Sequence, residues 1–284
     1  MTRPSPKHRG VVFEGLRRRL GLTQGEDPGA WDPRAIDRLD STVGRLFGRG
    51  CYFDTSVEGF ERVPAPPALL VSNHSGGTLI PDVWGLGLMW YRHFGRERPL
   101  YILGHELLFA TPWSGRFFER CGVLRAAPGR AHRVLTEFRR DLLVLPGGDV
   151  DTWRPWTERY TVNFAGRTGY AQLAIRAGVP IVPVAHAGAH ETLMVLRSGK
   201  RIARWFGLHQ LARAEVWPLH LSLPWGLALG PVPHWPLPAR FEYLLGQPIS
   251  PPRVESPETI RDLDARVRSV IQVQLNELAA RRRR

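Results

Sequence analysis

Cysteine, methionine and acidic side chains are all scarce in this chain. It has 284 residues but only two cysteines, Cys51 and Cys121, and three methionines. Two cysteines, neither in a CxxC, are too few for a disulfide framework or a cysteine-rich metal site, so a reducing interior is expected. Asp plus Glu is 26 against 39 for Lys plus Arg, a formal charge of +13. That excess points to an anionic partner: nucleic acid, an acidic membrane surface or a phosphorylated small molecule. The arginine runs at 17–19 and 281–284 read as solvated faces. An apolar h-region is missing from the first 22 residues, so no cleaved secretion signal is expected.

Long apolar runs are also missing, and no stretch of about 20 residues reads as a spanning helix. The nearest is VWPLHLSLPWGLALGPVPHWPLP at 216–238, which has no Asp, Glu, Lys or Arg but six prolines and three tryptophans. Proline at that density breaks helices, and tryptophan suits the boundary between hydrocarbon and headgroup. The segment reads as a surface that dips into a membrane; the plainer alternative is a proline-rich loop packed on the core. Before it, 192–214 carries Arg197, Lys200, Arg201, Arg204 and Arg213, no acidic residue, and interleaved apolar side chains. That pattern suggests a basic amphipathic helix lying on a membrane surface.

What is present is 43% hydrophobic, enough to bury a core. With no long linker or low-complexity stretch, one domain over 1–284 is expected. It would have an N-terminal helical extension to about 56, a core over about 57–250 and a helix over about 256–284. Four continuously apolar runs, 68–72, 100–104, 142–146 and 181–185, read as strands buried on both faces. Helical segments separate them: one opened by Pro81, one over 129–141 and one over 166–178 closed by Gly178. The alternation predicts an α/β fold, a mostly parallel central sheet with helices on both faces. Residues 32–50 read as an amphipathic helix and 52–64 as an edge strand with a turn. The C-terminal segment reads as a surface helix capped by Ser256, with Pro257 at its first position.

Ligand crevices of open α/β sheets lie at the carboxyl ends of the strands. There the chain places Asn73, His74, Ser75, Gly76 and Gly77, then His105 and Glu106, then Pro146, Gly147, Gly148 and Asp149, then His186, Gly188, His190 and Glu191. His74 is the candidate base, since an imidazole changes charge near neutral pH. Asp82, at the start of the next helix, can fix its tautomer and stabilise the imidazolium. The blander reading makes His74 a satisfied loop histidine and Asp82 a helix-start carboxylate. Neither His190-Glu191, followed by Met194, nor His105-Glu106, followed by Phe109, forms HExxH, so no metal is expected.

These residues carry a family resemblance. VSNHSGG…PD at 71–82, CGVLRA at 121–126, LLVLPGGDVDTWRPW at 142–156 and AGVPIVPVAHAGAHETL at 177–193 resemble, in order and spacing, four blocks of the glycerophospholipid (lysophospholipid) acyltransferase superfamily. The likeness runs over about 57–240, and is nearest a bacterial and mycobacterial branch with diacylglycerol-acyltransferase features. It implies that His74 takes the proton of an acceptor hydroxyl. The oxygen then attacks the thioester of acyl-CoA or an acyl carrier protein, with no other cofactor. Backbone N–H groups at Gly147 and Gly148, or at Gly76 and Gly77, would hold the oxyanion. Arg125, matching the second-block arginine, and Arg167 become candidates for binding phosphate; the alternative for each is a surface arginine. His190 and Glu191 would line the acceptor pocket. The partners implied are a lipid acceptor, an acyl thioester and a membrane surface through about 192–238, on the cytoplasmic side, peripheral or monotopic.

Two departures stand out. Seven residues separate His74 from Asp82 where most members have four. The third block is Pro-Gly-Gly-Asp-Val, without the usual glutamate or phosphate-gripping arginine, which opens the way to a neutral acceptor such as diacylglycerol or a long-chain alcohol. Two competing readings are a hydrolase with Ser75 as nucleophile and a non-catalytic basic lipid- or nucleic-acid-binding protein. The first lacks the G-x-S-x-G elbow. The second lacks a nucleic-acid motif and leaves the NHSGG and PGG loops without a role.

Overall fold

A computed structural model of the chain describes residues 23–205 and 215–283. The arginines at 17–19 and residues 206–214 of the expected basic helix lie outside them. In chain order the strands are β1 (Phe47–Gly48), β2 (Phe53–Glu58), β3 (Leu69–Ser72), β4 (Leu100–Gly104), β5 (Val123–Arg125), β6 (Asp141–Val144), β7 (Ile181–Ala187), β8 (Met194–Arg197), β9 (Leu219–Ser222), β10 (Gly226–Leu229) and β11 (Ala239–Leu245). The described α-helices are α1 (Pro33–Ser41), α2 (Pro81–Phe94), α3 (Pro112–Arg120), α4 (Pro128–Thr136), α5 (Gly148–Thr152), α6 (Gly169–Ala177), α7 (Lys200–Trp205) and α8 (Pro257–Arg281).

Eight strands form the main sheet in the order β1-β2-β11-β7-β3-β6-β4-β5. The five from β7 to β5 are mutually parallel. β11 joins β7 antiparallel and carries β2 and β1 parallel to itself. β3 and β6 are buried throughout and central, which is why their sequences run apolar without alternation. One face of the sheet packs against α4, α6 and α8 through Leu135, Ala174, Val267 and Ile271, the other against α1 and α2 through Ile36, Leu86 and Trp90. The expected α/β sandwich with a mostly parallel sheet is thus the architecture found.

Local chemistry sets the helix ends. Pro81 and Pro257 open helices, and Ser256 and Thr259 form a reciprocal capping box. Gly178 closes α6 in the left-handed region at φ 65°. Three expectations need correction. The helix foreseen over 32–50 ends at Ser41, where Thr42 leaves the helical path at φ −111° and ψ −90° and its N–H turns to the Leu39 carbonyl. The strand foreseen at an edge lies one position in, flanked by the two-residue β1. The C-terminal helix is not merely superficial: Leu263, Val267, Ile271, Leu275 and Leu278 form a buried stripe.

The segment foreseen as a basic helix and a proline-rich surface also folds differently. Met194–Arg197 is β8, and only Lys200–Trp205 of the basic stretch is helical among the described residues. β9 and β10 pair as a hairpin, and β8 completes a three-stranded antiparallel sheet. Alternation sends Val195, His220, Ser222 and Ala228 inward and Met194, Leu196, Leu221, Leu227 and Leu229 outward.

Candidate active site

β3 ends at Ser72 between β7 and β6, and the loop that follows is held at each of its first three residues. The Asn73 side chain clasps the His186 backbone, donating to its carbonyl and accepting its N–H, both at 2.9 Å. The His74 N–H donates to Asp151 Oδ2 at 2.6 Å. The Ser75 N–H donates to Asp82 Oδ2 at 2.9 Å, and the same oxygen lies 2.6 Å from His74 Nδ1. The two residues foreseen as a base and its orienting carboxylate are therefore in direct contact.

The longer loop reaches this contact through its backbone. Gly76 and Gly77 sit at φ 102° and 70°, and Ile80 at φ 45° turns the chain into Pro81 and α2. Asp82 is buried, and burial alone would raise its pKa. The His74 ring beside it, with His186 and the Ser75 N–H, outweighs that and holds the carboxyl below its ordinary value. The ion that stabilises an imidazolium is thus in place. Tyr243 donates to the Asp82 carbonyl at 2.7 Å and fixes the first turn of α2 from the β11 side.

Several groups here were not singled out by sequence. Asp151 and Arg154 form a fully buried ion pair behind His74, and burial lowers the Arg154 pKa to about 10. Their spacing of three along a helical turn within PGGDVDTWRP was the available signal. His186 was seen only as a strand-end residue. Its Nε2 lies 2.8 Å from Ser75 Oγ, its ring stacks on Tyr243, and burial pushes its pKa down to about 4, so it is neutral. Ser75 is 1% exposed, which keeps its hydroxyl from acting as a hydrolase nucleophile.

The other foreseen residues divide. Gly148 at φ 51° donates its N–H to the Leu145 carbonyl, so it does not offer that group to an oxyanion. A Cβ on Gly147 would overlap Asp151 and the Asn163 carbonyl, which makes close packing its role. By contrast, the Gly76 and Gly77 N–H groups meet no acceptor among the described residues. Arg125 is corrected from a phosphate ligand to an internal strut: it is 1% exposed, ion-paired with Glu106 and donating to the Gln24 carbonyl. Arg167 is half-buried and bonded to Glu215, Asp149 and the Pro146 carbonyl. His190 is buried beside Arg154, and burial first, then that guanidinium, keeps it neutral. Glu191 is likewise moved out of the expected acceptor pocket, because it pairs with Arg282 just beyond α8.

A cleft of about 810 Å³ opens at the carboxyl ends of β4, β5 and β6 and runs between α4 and α6. Leu103, Ala126, Val144, Leu145 and Leu173 make its walls, and His105, His132 and Arg167 lie on its rim. No group of three or more metal-ligating side chains occurs among the described residues.

Comparison with known proteins gives a class for this arrangement. Residues 54–187 match the model of the Acyltransferase family. An uncharacterised protein of Mycobacterium tuberculosis is 29% identical over 94% of this chain and 73% of its own length. A chicken protein described as a DGAT1/2-independent enzyme synthesizing storage lipids is 24% identical over 90% of this chain and 68% of its own. The crystal structure of the 1-acyl-sn-glycerophosphate acyltransferase PlsC from Thermotoga maritima shares the fold, with a TM-score of 0.52 at 19% identity over 87% and 80% of the two chains. The match to an acyltransferase domain over 54–187 and the α/β fold shared with PlsC support an O-acyltransferase enzyme.

Proposed function

We propose that the protein moves a fatty acyl group from an acyl thioester, acyl-CoA or acyl carrier protein, to a hydroxyl of a glycerolipid-type acceptor, with His74 as general base. The observation that carries this reading is the 2.6 Å contact between His74 Nδ1 and Asp82 Oδ2 at the carboxyl edge of the sheet. Asp82 accepts a hydrogen bond from Nδ1–H, which leaves the Nε2 lone pair for the acceptor hydroxyl. As the proton passes to Nε2, the acceptor oxygen bonds to the thioester carbonyl carbon. The Gly76 and Gly77 N–H groups supply donors for the resulting oxyanion. Collapse breaks the C–S bond, and the departing thiolate takes the proton back from Nε2. The apolar cleft between α4 and α6 suits the acyl chain.

Two acceptor classes fit this chemistry, phosphorylated (a lysophospholipid or glycerol phosphate) and neutral (diacylglycerol or a long-chain alcohol). The internal pairing of Arg125 and Arg167 favours the neutral one. The outer face of the β8–β10 sheet supports work at a membrane surface. Leu227 is 63% exposed, Trp225 and Trp235 also face solvent, and Arg197, Lys200 and Arg201 flank them. Apolar side chains and tryptophan beside cations match a lipid interface. No described helix is long and apolar enough to cross a membrane.

The test is transfer of a labelled long-chain acyl group to a panel of lipid acceptors in liposomes, with acyl-CoA and acyl carrier protein donors in parallel. Transfer by the wild type that His74→Ala abolishes supports the reading. A wild type inactive with both donors, or equal activity in the variant, refutes it.

A further inference from the structure

α3 exposes side chains that a helix normally buries. Trp113 and Phe117, one turn apart, both face solvent, Trp113 at 75% exposure. Arg116 and Arg120 complete the same outward stripe. The side that packs on the protein holds Gly115, against Gln24. Glu119, the one acid of the helix, is turned away: its Oε1 accepts the N–H groups of Gly25, Glu26 and Asp27. Among the described residues neither Arg116 nor Arg120 pairs with a carboxylate, whereas Arg96, Arg98 and Arg176 do. The stripe therefore offers two aromatic rings and two cations, with no acid between them.

The patch continues to the loop that carries His74. Trp84 of α2 lies between them. Its ring centre is 6.3 Å from that of Phe117 and 5.8 Å from that of Phe118, and its Nε1–H donates to the Leu79 carbonyl at 3.1 Å. Leu79, exposed, belongs to the loop between His74 and Asp82. Its neighbour Thr78 is tied the other way, donating to the Pro231 carbonyl at 2.9 Å in the segment that joins β10 to β11. The loop is thus held between α3 and the small sheet, whose outer side carries Trp225 and Leu227. Leu107, also exposed, extends the patch from the 3-10 turn Glu106–Phe109, which packs on α3. It directly follows His105 and Glu106, which line the cleft between α4 and α6.

The chemistry of the stripe selects what covers it. A tryptophan one turn from an arginine suits the level where hydrocarbon meets headgroup. Cations without carboxylate partners are drawn to anionic lipid heads. A second copy of the chain fits poorly, because a two-fold contact sets the same patch against itself and would bring Arg116 and Arg120 against their own counterparts. The loop between the two patches is also where a lipid acceptor has to arrive.

We propose that Trp113, Phe117, Leu107 and Leu79 form a second lipid contact, with Arg116 and Arg120 on anionic headgroups, so that the loop carrying His74 meets the bilayer between two patches. The purpose of the contact rests on the acyl-transfer reading, but its test does not need turnover. The measurement is co-sedimentation of the full-length protein with vesicles of phosphatidylcholine alone and with phosphatidylglycerol added. The wild type is compared with Trp113→Glu/Phe117→Glu and with Arg116→Gln/Arg120→Gln, each checked for an unchanged melting temperature. The glutamate pair should bind the anionic vesicles roughly tenfold more weakly. The glutamine pair should bind them roughly fivefold more weakly and leave binding to the neutral ones unchanged. Depth is read separately with a nitroxide on Trp113→Cys, in a Cys51→Ser background that removes the exposed thiol. Vesicles should open this label to oxygen and shield it from a water-soluble nickel complex, and should do neither to a label on Arg266→Cys, exposed on α8. If the glutamate pair fails to fold, the labels carry the comparison. Wild-type sedimentation by both variants, or a label at position 113 that stays in water, overturns the contact. Self-association that the glutamates abolish without changing vesicle binding would give the stripe to a second copy and overturn it too. Vesicle binding through the stripe, with no acyl transfer by the wild type from either donor, would sink the acyl-transfer reading and leave this contact standing.

Discussion

Replacing Asp82 with asparagine is the sharpest perturbation the site allows. The amide keeps the size of the side chain and an oxygen for the Ser75 N–H, but removes the charge that faces His74 at 2.6 Å. In the proposed mechanism that ring becomes an imidazolium during transfer. With the two charges centred about 4 Å apart and an effective dielectric near 20, their attraction is worth about 4 kcal/mol. Each ~1.4 kcal/mol in the barrier is tenfold in rate, so Asp82→Asn should lose about a thousandfold in kcat. A wrongly held tautomer would deepen the loss to about ten-thousandfold, the size seen for this change in Ser-His-Asp hydrolases. The KM for acceptor should change little, since Asp82 is buried behind the histidine. The assay is initial-rate acyl transfer on liposomes, with a thermal melt alongside. A folded Asp82→Asn protein keeping more than a tenth of wild-type kcat would refute the general-base assignment.

Other outcomes follow from the same structure. Asp151→Asn leaves the buried Arg154 guanidinium uncompensated and should destabilise the fold by about 3–5 kcal/mol in urea denaturation; a change under 1 kcal/mol would mean that water reaches the pair. His186 and His234 are neutral in the fold, with pKa values of about 4 against ~6.5 when unfolded, so the unfolded chain takes up protons that the folded chain refuses. Stability is therefore full above pH ~6.5 and falls as pH drops toward 4, by about 1.4 kcal/mol per pH unit for each histidine. Equal urea midpoints at pH 7.5 and pH 5 would contradict that. Leu227→Glu with Leu229→Glu places two charges on the outer face of the small sheet and should cut sedimentation with anionic vesicles at least tenfold. Unchanged sedimentation would move the lipid contact elsewhere on the protein.

The main sheet was legible because its strands are buried on both faces. A run such as Leu69–Leu70–Val71 has no other stable place in an α/β protein. The helix starts at Pro81 and Pro257 and the stop at Gly178 were legible because single residues dictate them. The small sheet was not legible. Leu221, Leu227 and Leu229 point outward on strands that otherwise bury small or polar residues, so the alternation looked inverted and the prolines suggested a loop. The basic stretch before it misled for a related reason: the charges lie mostly beyond Val195, which is buried in β8. In the site, His74 and Asp82 could be picked out as candidates because their residue types suit proton transfer. Asp151 and His186 were not, because their partners, the His74 N–H and the Ser75 hydroxyl, come from a distant part of the chain. Arg125 was misassigned because a guanidinium that grips phosphate and one that grips Glu106 have the same sequence.

The seven residues between His74 and Asp82 show why spacing is a weak stand-in for geometry. General-base chemistry needs a carboxylate oxygen within hydrogen-bond reach of one ring nitrogen, and it is indifferent to the path of the chain between them. Here the extra residues are taken up by two left-handed glycines, a short 3-10 turn over Gly77–Leu79 and a left-handed Ile80. Three anchors then remove the freedom that a longer loop would gain: Asn73 on β7, the His74 N–H on Asp151, and the Ser75 N–H on Asp82 itself. The last uses the same carboxylate oxygen that holds the imidazole, so backbone and ring are positioned by one atom. Lengthening this loop therefore need not loosen the dyad. The same loop packs the Gly77 backbone on His234 and lets Thr78 donate to the Pro231 carbonyl, so it also joins His74 to the segment that follows β10.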